Sequence, residues 1–280
     1  MRAPEPERAP PRTDQAANER WRGILAGDSP NSTLRRLRRV FRHLPSDPRC
    51  KLCYAPYAAP FGPLIGRLGF GPWEKNPSLC GSCLRVMEKH QGGAEVELSM
   101  VFADLRGSTE LAAQMSASAY SRLLNAFYSI AARAIQAPGG HVDKYLGDGV
   151  FALFIPGFVG ADHAARAIDA ARHILTETAD ASSLPGAEGP LPVGIGVHTG
   201  TAYVGVIGQA GELTDFTALG DAVNVTQRLS SDAAAREILV SDTALEASGL
   251  ASGDLERREL RLKGVAQPVV AWAQSDPASG

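Results

Sequence analysis

The sequence reads Val101-Phe-Ala-Asp-Leu-Arg-Gly-Ser-Thr109 at the end of one apolar run and Lys144-Tyr-Leu-Gly-Asp-Gly149 beside another. Each segment places an aspartate where a predicted strand ends, Asp104 in the first and Asp148 in the second. Two carboxylates brought together at strand ends form a hard, oxygen-rich site that suits Mg²⁺, with phosphate oxygens as the remaining ligands. The two segments therefore predict a site for a nucleoside triphosphate.

Each aspartate also has an ordinary structural interpretation. Asp104 could cap the element that follows its strand, and Gly147-Asp148-Gly149 could be a hairpin turn, for which Asp-Gly is a strong signal. A third segment, Phe216-Thr-Ala-Leu-Gly-Asp-Ala-Val-Asn224-Val-Thr-Gln-Arg228, favours the functional interpretation. If it turns into a helix, Asn224 and Arg228 lie four residues apart on one face. A guanidinium suits phosphate oxygens whose charge grows in a transition state.

Four motifs along the chain resemble the successive signatures of class III adenylyl and guanylyl cyclases. They extend from roughly Glu95 to Gln274, and their order and spacing match the family. The motifs are Phe102-Ala-Asp-Leu-Arg-Gly-Ser-Thr109, Lys144-Tyr-Leu-Gly-Asp-Gly-Val-Phe-Ala152, Gly194-Ile-Gly-Val-His-Thr-Gly200 and Leu219-Gly-Asp-Ala-Val-Asn-Val-Thr-Gln-Arg228.

The resemblance implies roles for single positions of this sequence. Asp104 and Asp148 match the two metal-binding aspartates, and the backbone carbonyl of Leu105 matches an extra ligand. Lys144 matches the lysine that reads the adenine edge. Thr217 stands where many members have an aspartate that accepts a hydrogen bond from adenine; a bacterial branch has threonine here, whose hydroxyl can accept the same bond.

Three further positions match residues that handle ribose and phosphate. Asn224 and Arg228 match residues that hold the ribose and stabilise the pentavalent phosphorus, and Lys263 matches a late lysine that meets the triphosphate. The resemblance thus implies an adenylate cyclase that converts ATP to 3′,5′-cyclic AMP and pyrophosphate. The ribose 3′ oxygen would attack in line, assisted by two Mg²⁺ or Mn²⁺ ions.

Two alternative functions stay open. Guanylate cyclases carry an acidic residue in place of the base-reading lysine and a smaller residue in place of the aspartate or threonine, so Lys144 and Thr217 argue against that activity. A nucleotide-binding regulatory pseudo-cyclase would not need every catalytic side chain, and this sequence retains them.

The resemblance also implies the fold and the assembly. Residues 93–275 are expected to form an α+β catalytic domain with a ferredoxin-like βαββαβ core. Within it, the pattern predicts strands at Val193 to Thr199 and Ala202 to Ile207, joined by a turn at Gly200. Such domains pair head to tail. The aspartates of one chain would then face five residues of the other: Lys144, Thr217, Asn224, Arg228 and Lys263. A homodimer would then have two composite sites.

All four cysteines fall in one segment, as Cys50-Lys-Leu-Cys53 and Cys80-Gly-Ser-Cys83. Two such pairs are typical of knuckles that close a four-thiolate metal site. Zinc is the expected occupant, and an iron-sulfur cluster is the alternative. Buried structural thiols or a disulfide are further alternatives, although a reducing cytoplasm disfavours the disulfide. Residues 32–92 are expected to form a small metal-binding module with a core separate from that of the catalytic domain.

The remaining N-terminal sequence suggests a tail and a helix. Residues 1–31 begin with several prolines and mixed charges and are expected to be disordered. Residues 33–44 predict a basic amphipathic helix that packs on its neighbour; contact with a membrane surface or a partner is the alternative. Its apolar face is predicted to contain Leu34, Leu37, Val40, Phe41 and Leu44.

Composition excludes some classes of protein. The net charge of −2 argues against attraction to nucleic acid, and the 44% hydrophobic content is enough to bury a core. No apolar run approaches the ~20 residues of a membrane span, and the N-terminus lacks a signal-peptide pattern. The protein is therefore expected to be cytoplasmic, without a transmembrane segment. Residues 276–280 are expected to be a short tail.

Overall fold

A computed structural model of the protein describes residues 12–28, 32–45, 48–73, 77–89, 92–180, 184, 189–208, 214–253, 255–265 and 267–275. Residues 1–11 of the predicted disordered segment and the predicted tail 276–280 lie outside the described residues. Before the first strand, the described chain is mainly helical. Its elements are α1 (Arg12–Ala26), α2 (Ser32–Phe41), α3 (Gly62–Ile65), a π-helical turn (Gly66–Phe70) and α4 (Gly81–Lys89).

The rest of the described chain combines strands and helices. Ser116 caps the longest helix by accepting a hydrogen bond from the backbone N–H of Ala119. The elements are β1 (Gly92–Leu105), α5 (Ser108–Gln114), α6 (Ala117–Gln136), β2 (His141–Leu146), β3 (Gly149–Phe154), α7 (Pro156–Val159), α8 (His163–Glu177), β4 (Val193–Gly208), β5 (Thr214–Leu219), α9 (Asp221–Asp232), β6 (Glu237–Ser241), α10 (Asp242–Ser248), β7 (Glu256–Leu260) and β8 (Val269–Ser275).

The described strands form one sheet in the order β2-β3-β1-β4-β6-β8-β7, and β5 pairs with β4 beside this path. Strands β4 and β6 are parallel, whereas the other pairs are antiparallel. In chain order, β1, α6, β2, β3, α8 and β4 form the βαββαβ unit. The predicted α+β fold with a ferredoxin-like core is therefore confirmed.

Part of the segment predicted to be disordered is helix α1, so that prediction was wrong for residues 12–26. The helix has an apolar face because Trp21, Ile24 and Leu25 recur at helical spacing. Trp21 and Leu25 are buried, and α1 packs on β1 and α7. The Trp21 ring stacks on the Phe216 ring of β5, with centroids 6.4 Å apart. The proline-rich start of the chain does not extend into this helix.

Helix α2 ends at Phe41, three residues before the predicted end at Leu44, and its predicted apolar face is buried or partly buried except at Val40. Leu34 and Phe41 are buried, but Val40 is 60% exposed, because it lies at the edge of the apolar stripe. Arg38, at the opposite edge of the stripe, is half-buried. Its Nε donates to Leu52 O at 2.6 Å, and its guanidinium lies 5.4 Å from the centre of the Tyr54 ring. Among the described helices, none combines the length and apolar character needed to cross a bilayer.

The segment that contains the four cysteines, residues 50–83, is called the thiol segment here. It shares one hydrophobic core with the sheet, so the predicted separate cores were wrong. Three polar contacts also join the chain before β1 to the strands and helices that follow it. Ser78 Oγ lies 2.6 Å from His141 Nδ1, and Arg38 Nη2 donates to Gly157 O at 2.8 Å. Lys51 Nζ donates to Gln136 O at 3.4 Å. Helix α2 and the thiol segment therefore contact β2, α6 and α7.

Gly200 does not turn the chain, contrary to the prediction. Strand β4 is continuous and pairs with β1 through this position. A Cβ at Gly200 would lie 2.9 Å from His198 Nε2 and 3.1 Å from the Cβ of Ala222. Glycine leaves room here for α9, which packs closely across the strand.

Candidate active site

The two predicted metal-binding aspartates are neighbours across β1 and β3. Asp104 pairs with Gly149, and the backbone N–H of Leu105 donates to Asp148 O at 3.3 Å. Both carboxylates are half-buried. Burial, followed by the Asp148 charge, raises the pKa of Asp104 to about 6. Two close carboxylates of this kind fit a divalent cation, whose charge would offset their repulsion.

Arg106 is a counter-ion of this pair that the sequence argument missed. Its Nη2 lies 3.0 Å from Asp104 Oδ2, and its Nη1 donates to Ser231 O at 3.0 Å. Its Nε is buried and has no hydrogen-bond partner among the described residues. Arg106 therefore links the end of β1 to the last turn of α9. The signal available in the sequence was its position two residues after Asp104.

Lys144 on β2 and Thr217 on β5 meet at two aspartates, Asp143 and Asp215; we call these four residues the lysine-threonine cluster. Lys144 Nζ donates to Asp215 Oδ2 at 2.9 Å and lies 3.6 Å from Asp143 Oδ2. Thr217 Oγ1 donates to the same Asp143 oxygen at 2.8 Å. Strands β2 and β5 are not neighbours in the sheet. The sheet must therefore curl to bring these side chains into contact.

The electrostatics of the cluster centre on Asp143. Its side chain has no exposed surface, and its Oδ1 atom has no hydrogen-bond partner among the described residues. Burial raises the pKa of Asp143 to about 6, although the Thr217 hydrogen bond and the Lys144 charge lower it. Burial also opposes the charge of Lys144, but Asp215 and Asp143 raise its pKa overall.

The predicted ribose and phosphate residues are accessible. Asn224 is exposed and Arg228 is half-buried, one turn apart on α9, and Lys263 is exposed in the loop after β7. Their side chains make no hydrogen bond or ion pair with the part of the chain that the structure describes. An unpaired guanidinium keeps its capacity to bind anionic oxygens.

The metal aspartates and Thr217 lie near opposite ends of β4. Asp104 pairs with Gly194 near the start of that strand, and Thr217 pairs with Gly205 near its end. Thr217 contacts Asp143, and Asp143 lies five residues from Asp148, which corresponds to about 16 Å of extended strand at ~3.3 Å per residue. Within one chain, the two carboxylates therefore do not lie beside the threonine.

The four cysteines meet in one buried cluster. Their Sγ atoms all lie within 4.8 Å of one another, and those of Cys53 and Cys80 are 3.7 Å apart. None of the four forms a disulfide. Zinc–sulfur bonds of ~2.3 Å in a tetrahedron place the sulfurs about 3.8 Å apart. The cluster therefore fits one tetrahedral metal ion.

The surroundings also suit an anionic metal–thiolate centre. The backbone N–H of Cys80 donates to Cys50 Sγ at 3.3 Å, and the N–H of Cys83 donates to Cys80 Sγ at 3.4 Å. The Tyr57 hydroxyl is buried without a hydrogen-bond partner in the described structure. Burial, followed by the nearby Cys50 and Cys80 charges, raises its pKa. Hydrogen bonds from Cys53, Cys80 and Cys83 lower the pKa of the Cys50 thiol.

Sequence reasoning missed the residues that support the predicted ones. Asp143 directly precedes Lys144, and Asp215 lies two residues before Thr217, on the same face of β5. Tyr57 follows the first cysteine pair. Proximity in sequence was a signal in each case, but only the curl of the sheet shows that Asp143 contacts Thr217.

Comparisons with known proteins match most of the chain to one family. A family model described as the adenylate and guanylate cyclase catalytic domain matches residues 91–272. An adenylate cyclase of Anabaena cylindrica is 36% identical over 135 residues, which cover 47% of this chain and 26% of that protein. Guanylate cyclase 2G of Rattus norvegicus is 29% identical over 199 residues, which cover 70% of this chain and 18% of that protein. The chain thus spans about a quarter or less of these two relatives.

Solved structures give the same result for the fold. The guanylyl cyclase Cya2 superimposes with a TM-score of 0.56 and 30% identity, covering 65% of this chain and 93% of that one. The adenylyl cyclase CyaB from P. aeruginosa has a TM-score of 0.56 and 28% identity, covering 67% of this chain and 99% of that one. Because the family match extends over more than half of its length, this chain belongs to the family of adenylate and guanylate cyclase catalytic domains.

Proposed function

We propose that this chain is an adenylate cyclase that converts ATP to 3′,5′-cyclic AMP and pyrophosphate. The observation that carries the proposal is the Lys144 ammonium in the lysine-threonine cluster. An ammonium can only donate hydrogen bonds. Adenine presents an acceptor at N1, whereas guanine presents an N–H there. Lys144 therefore favours adenine over guanine.

The other predicted residues are suited to the sugar and the triphosphate. Asp104, Asp148 and the Leu105 carbonyl would hold two Mg²⁺ or Mn²⁺ ions, which when bound supply Lewis-acid activation of the 3′ hydroxyl and neutralise the leaving pyrophosphate. Arg228 would bind the α-phosphoryl oxygens where charge develops, and Asn224 would orient the ribose. Lys263 would contact the triphosphate. No covalent nucleophile is needed.

We also propose a head-to-tail homodimer with two composite sites. The separation of Asp104 from Thr217 along β4 supports this arrangement, because one nucleotide has to reach both sets of residues. A two-fold axis that relates two chains running in opposite directions would bring each aspartate pair to the partner's lysine-threonine cluster.

The test of the substrate is a comparison of kcat/KM for ATP and GTP with purified protein. We expect at least a tenfold preference for ATP, equivalent to ~1.4 kcal/mol of differential transition-state binding. Equal turnover would support a dual-specificity or guanylate cyclase and contradict the role given to Lys144. Tight nucleotide binding without either cyclic product would support a pseudo-cyclase instead.

At the thiol cluster we propose a structural zinc ion held by Cys50, Cys53, Cys80 and Cys83. The short sulfur–sulfur distances support a single ion, because an iron-sulfur cluster spreads its four thiolates over several metal atoms. Reduced thiols also fit the proposed cytoplasmic location. Elemental analysis of protein purified without added metal should find one zinc per chain and no visible colour; iron with visible absorbance would refute the assignment.

A further inference from the structure

The Thr217 hydroxyl uses its only proton in a hydrogen bond to Asp143. Thr217 Oγ1 donates to Asp143 Oδ2 at 2.8 Å, and it makes no other side-chain hydrogen bond within the described ranges. An ionised carboxylate accepts hydrogen bonds and donates none. While Asp143 is ionised, the Thr217 hydroxyl therefore presents only lone pairs to any further partner.

From this contact we infer that Asp143 fixes Thr217 as a hydrogen-bond acceptor and thereby selects purines that carry a donor at position 6. The inference rests on the proposed function, because it assumes that the cluster reads the base. The 6-amino group of adenine donates, whereas the 6-oxo group of guanine or hypoxanthine accepts. Asp143 is a positioning residue: it acts through Thr217 and does not touch the nucleotide.

The same carboxylate also lies 3.6 Å from Lys144 Nζ. One buried group thus holds a fixed donor, Lys144, beside a fixed acceptor, Thr217. That order is complementary to N1 and the 6-amino group of adenine, which accept and donate respectively. For hypoxanthine or guanine, both positions have the opposite polarity.

A purely structural role explains Asp143 poorly. Its Oδ1 atom is buried without a partner among the residues described, and its side chain has no exposed surface. A buried carboxylate with one unsatisfied oxygen disfavours folding. An asparagine would also bond Thr217, and it would not require burial of a charge. Besides its charge beside Lys144, what the carboxylate adds is a hydrogen bond that can run in only one direction.

The experiment measures the ratio of kcat/KM for ATP to that for inosine triphosphate, whose base is hypoxanthine and lacks the 2-amino group of guanine. In Asp143→Asn, the amide can donate to Thr217, so the hydroxyl proton can turn towards a 6-oxo group. We expect this ratio to fall at least tenfold relative to the wild-type protein. An unchanged ratio in a folded variant would overturn the inference.

Two variants separate this effect from a general disturbance. Asp215→Asn also removes a carboxylate from Lys144 but does not touch Thr217, so it measures the part of the change that acts through Lys144, and Asp143→Asn should lower the ratio by a larger factor. In a Thr217→Val background, Asp143→Asn should have no further effect on the ratio, because the hydroxyl through which it acts is absent. An equal effect in both backgrounds would show that Asp143 acts independently of Thr217 and would refute the inference.

A substrate-side measurement covers the case in which Asp143→Asn fails to fold. The triphosphate of 6-methoxypurine riboside keeps the N1 acceptor of adenine but has only an acceptor at position 6. Wild-type protein should have a lower kcat/KM for it than for the triphosphate of unsubstituted purine riboside. The reason is that the lone pairs of the methoxy oxygen would face those of Thr217 Oγ1. Equal or better use would mean that Thr217 donates, contrary to the inference.

Failure of the proposed function has a different signature. Formation of cyclic AMP from ATP by the wild-type protein is measured first, and its absence refutes the proposed function together with this inference. When cyclic AMP is formed, the nucleotide ratios test the role of Asp143 alone.

Discussion

Replacing Gly157 by alanine should detach helix α1 from the sheet. Gly157 lies in α7, beneath the C-terminal turn of α1, and a Cβ at this position would lie 2.7 Å from Leu25 O and close to Ile24 O. Both neighbours are backbone atoms, so rotation of a side chain cannot relieve the overlap. The helix or the α7 turn has to move, and the hydrogen bond from Arg38 to Gly157 O would be disturbed with it.

The expected size of the effect follows from what α1 buries. Trp21 is 4% exposed and Leu25 is 0% exposed. Full burial of such a side chain contributes about 1.5–3 kcal/mol, so complete release of both would cost about 3–6 kcal/mol. Alanine is favoured over glycine within a helix by about 0.5–1 kcal/mol, which acts in the opposite direction. We therefore expect Gly157→Ala to lower the free energy of unfolding by about 2–5 kcal/mol.

Urea unfolding measures that free energy, and trypsin cleavage after the exposed Arg22 reports release of the helix. Gly189→Ala is the matched control, because a Cβ there meets no atom within 4 Å. Cleavage after Arg22 should be faster in Gly157→Ala than in the control. If the two variants unfold at the same urea concentration and are cut at the same rate, α1 is not seated on α7 and the reasoning fails.

Three further predictions test the assembly, the thiol cluster and a buried histidine. Asp104→Ala and Arg228→Ala should each be nearly inactive, and mixing them should restore roughly a quarter of wild-type activity, because half of the dimers would have one intact composite site; no recovery despite subunit exchange would place the site within one chain. Replacing Cys50 and Cys53 by serine should open residues 54–79 to proteases and, because the core is shared, also lower the thermal midpoint of the sheet; equal cleavage of wild type and variant would rule out ordering by metal. Complete burial lowers the pKa of His141 to about 4, so His141 contributes stability above pH ~6.5 that is lost as the pH falls towards 4, by about 3 kcal/mol. The carboxyl groups of Asp104 and Asp143, whose pKa values are raised, act in the opposite direction over the same range. The comparison is therefore between wild type and His141→Gln in urea titrations at several pH values, and parallel pH profiles would contradict the prediction.

The parts of the site that could be predicted from sequence are those whose residues are close along the chain or on adjacent strands. Asp104 and Asp148 each end a recognisable apolar segment, and pairing of β1 with β3 brings them together. Asn224 and Arg228 follow from the period of one helix. The four cysteines were predicted to meet because two close pairs have few other arrangements.

The parts that could not be predicted depend on the curvature of the sheet and on long-range packing. The contact between Asp143 and Thr217 joins strands that are not neighbours, and no local pattern encodes that distance. At Gly200, sequence reasoning favoured a turn, but the glycine instead accommodates α9. The burial of Trp21 likewise required knowledge of the surface it meets, which Phe216 provides.

The shared core has a consequence for work with fragments. A fragment starting at residue 91, where the family match begins, would lack α1 and the thiol segment. It would expose the ring of Phe216 and the apolar residues of β1 that now lie under α1. Exposed apolar surface of this kind promotes self-association. Dimers of such a fragment would therefore not be evidence for the composite sites, because the newly exposed apolar surface would itself favour association. The test of the composite sites requires the longer chain.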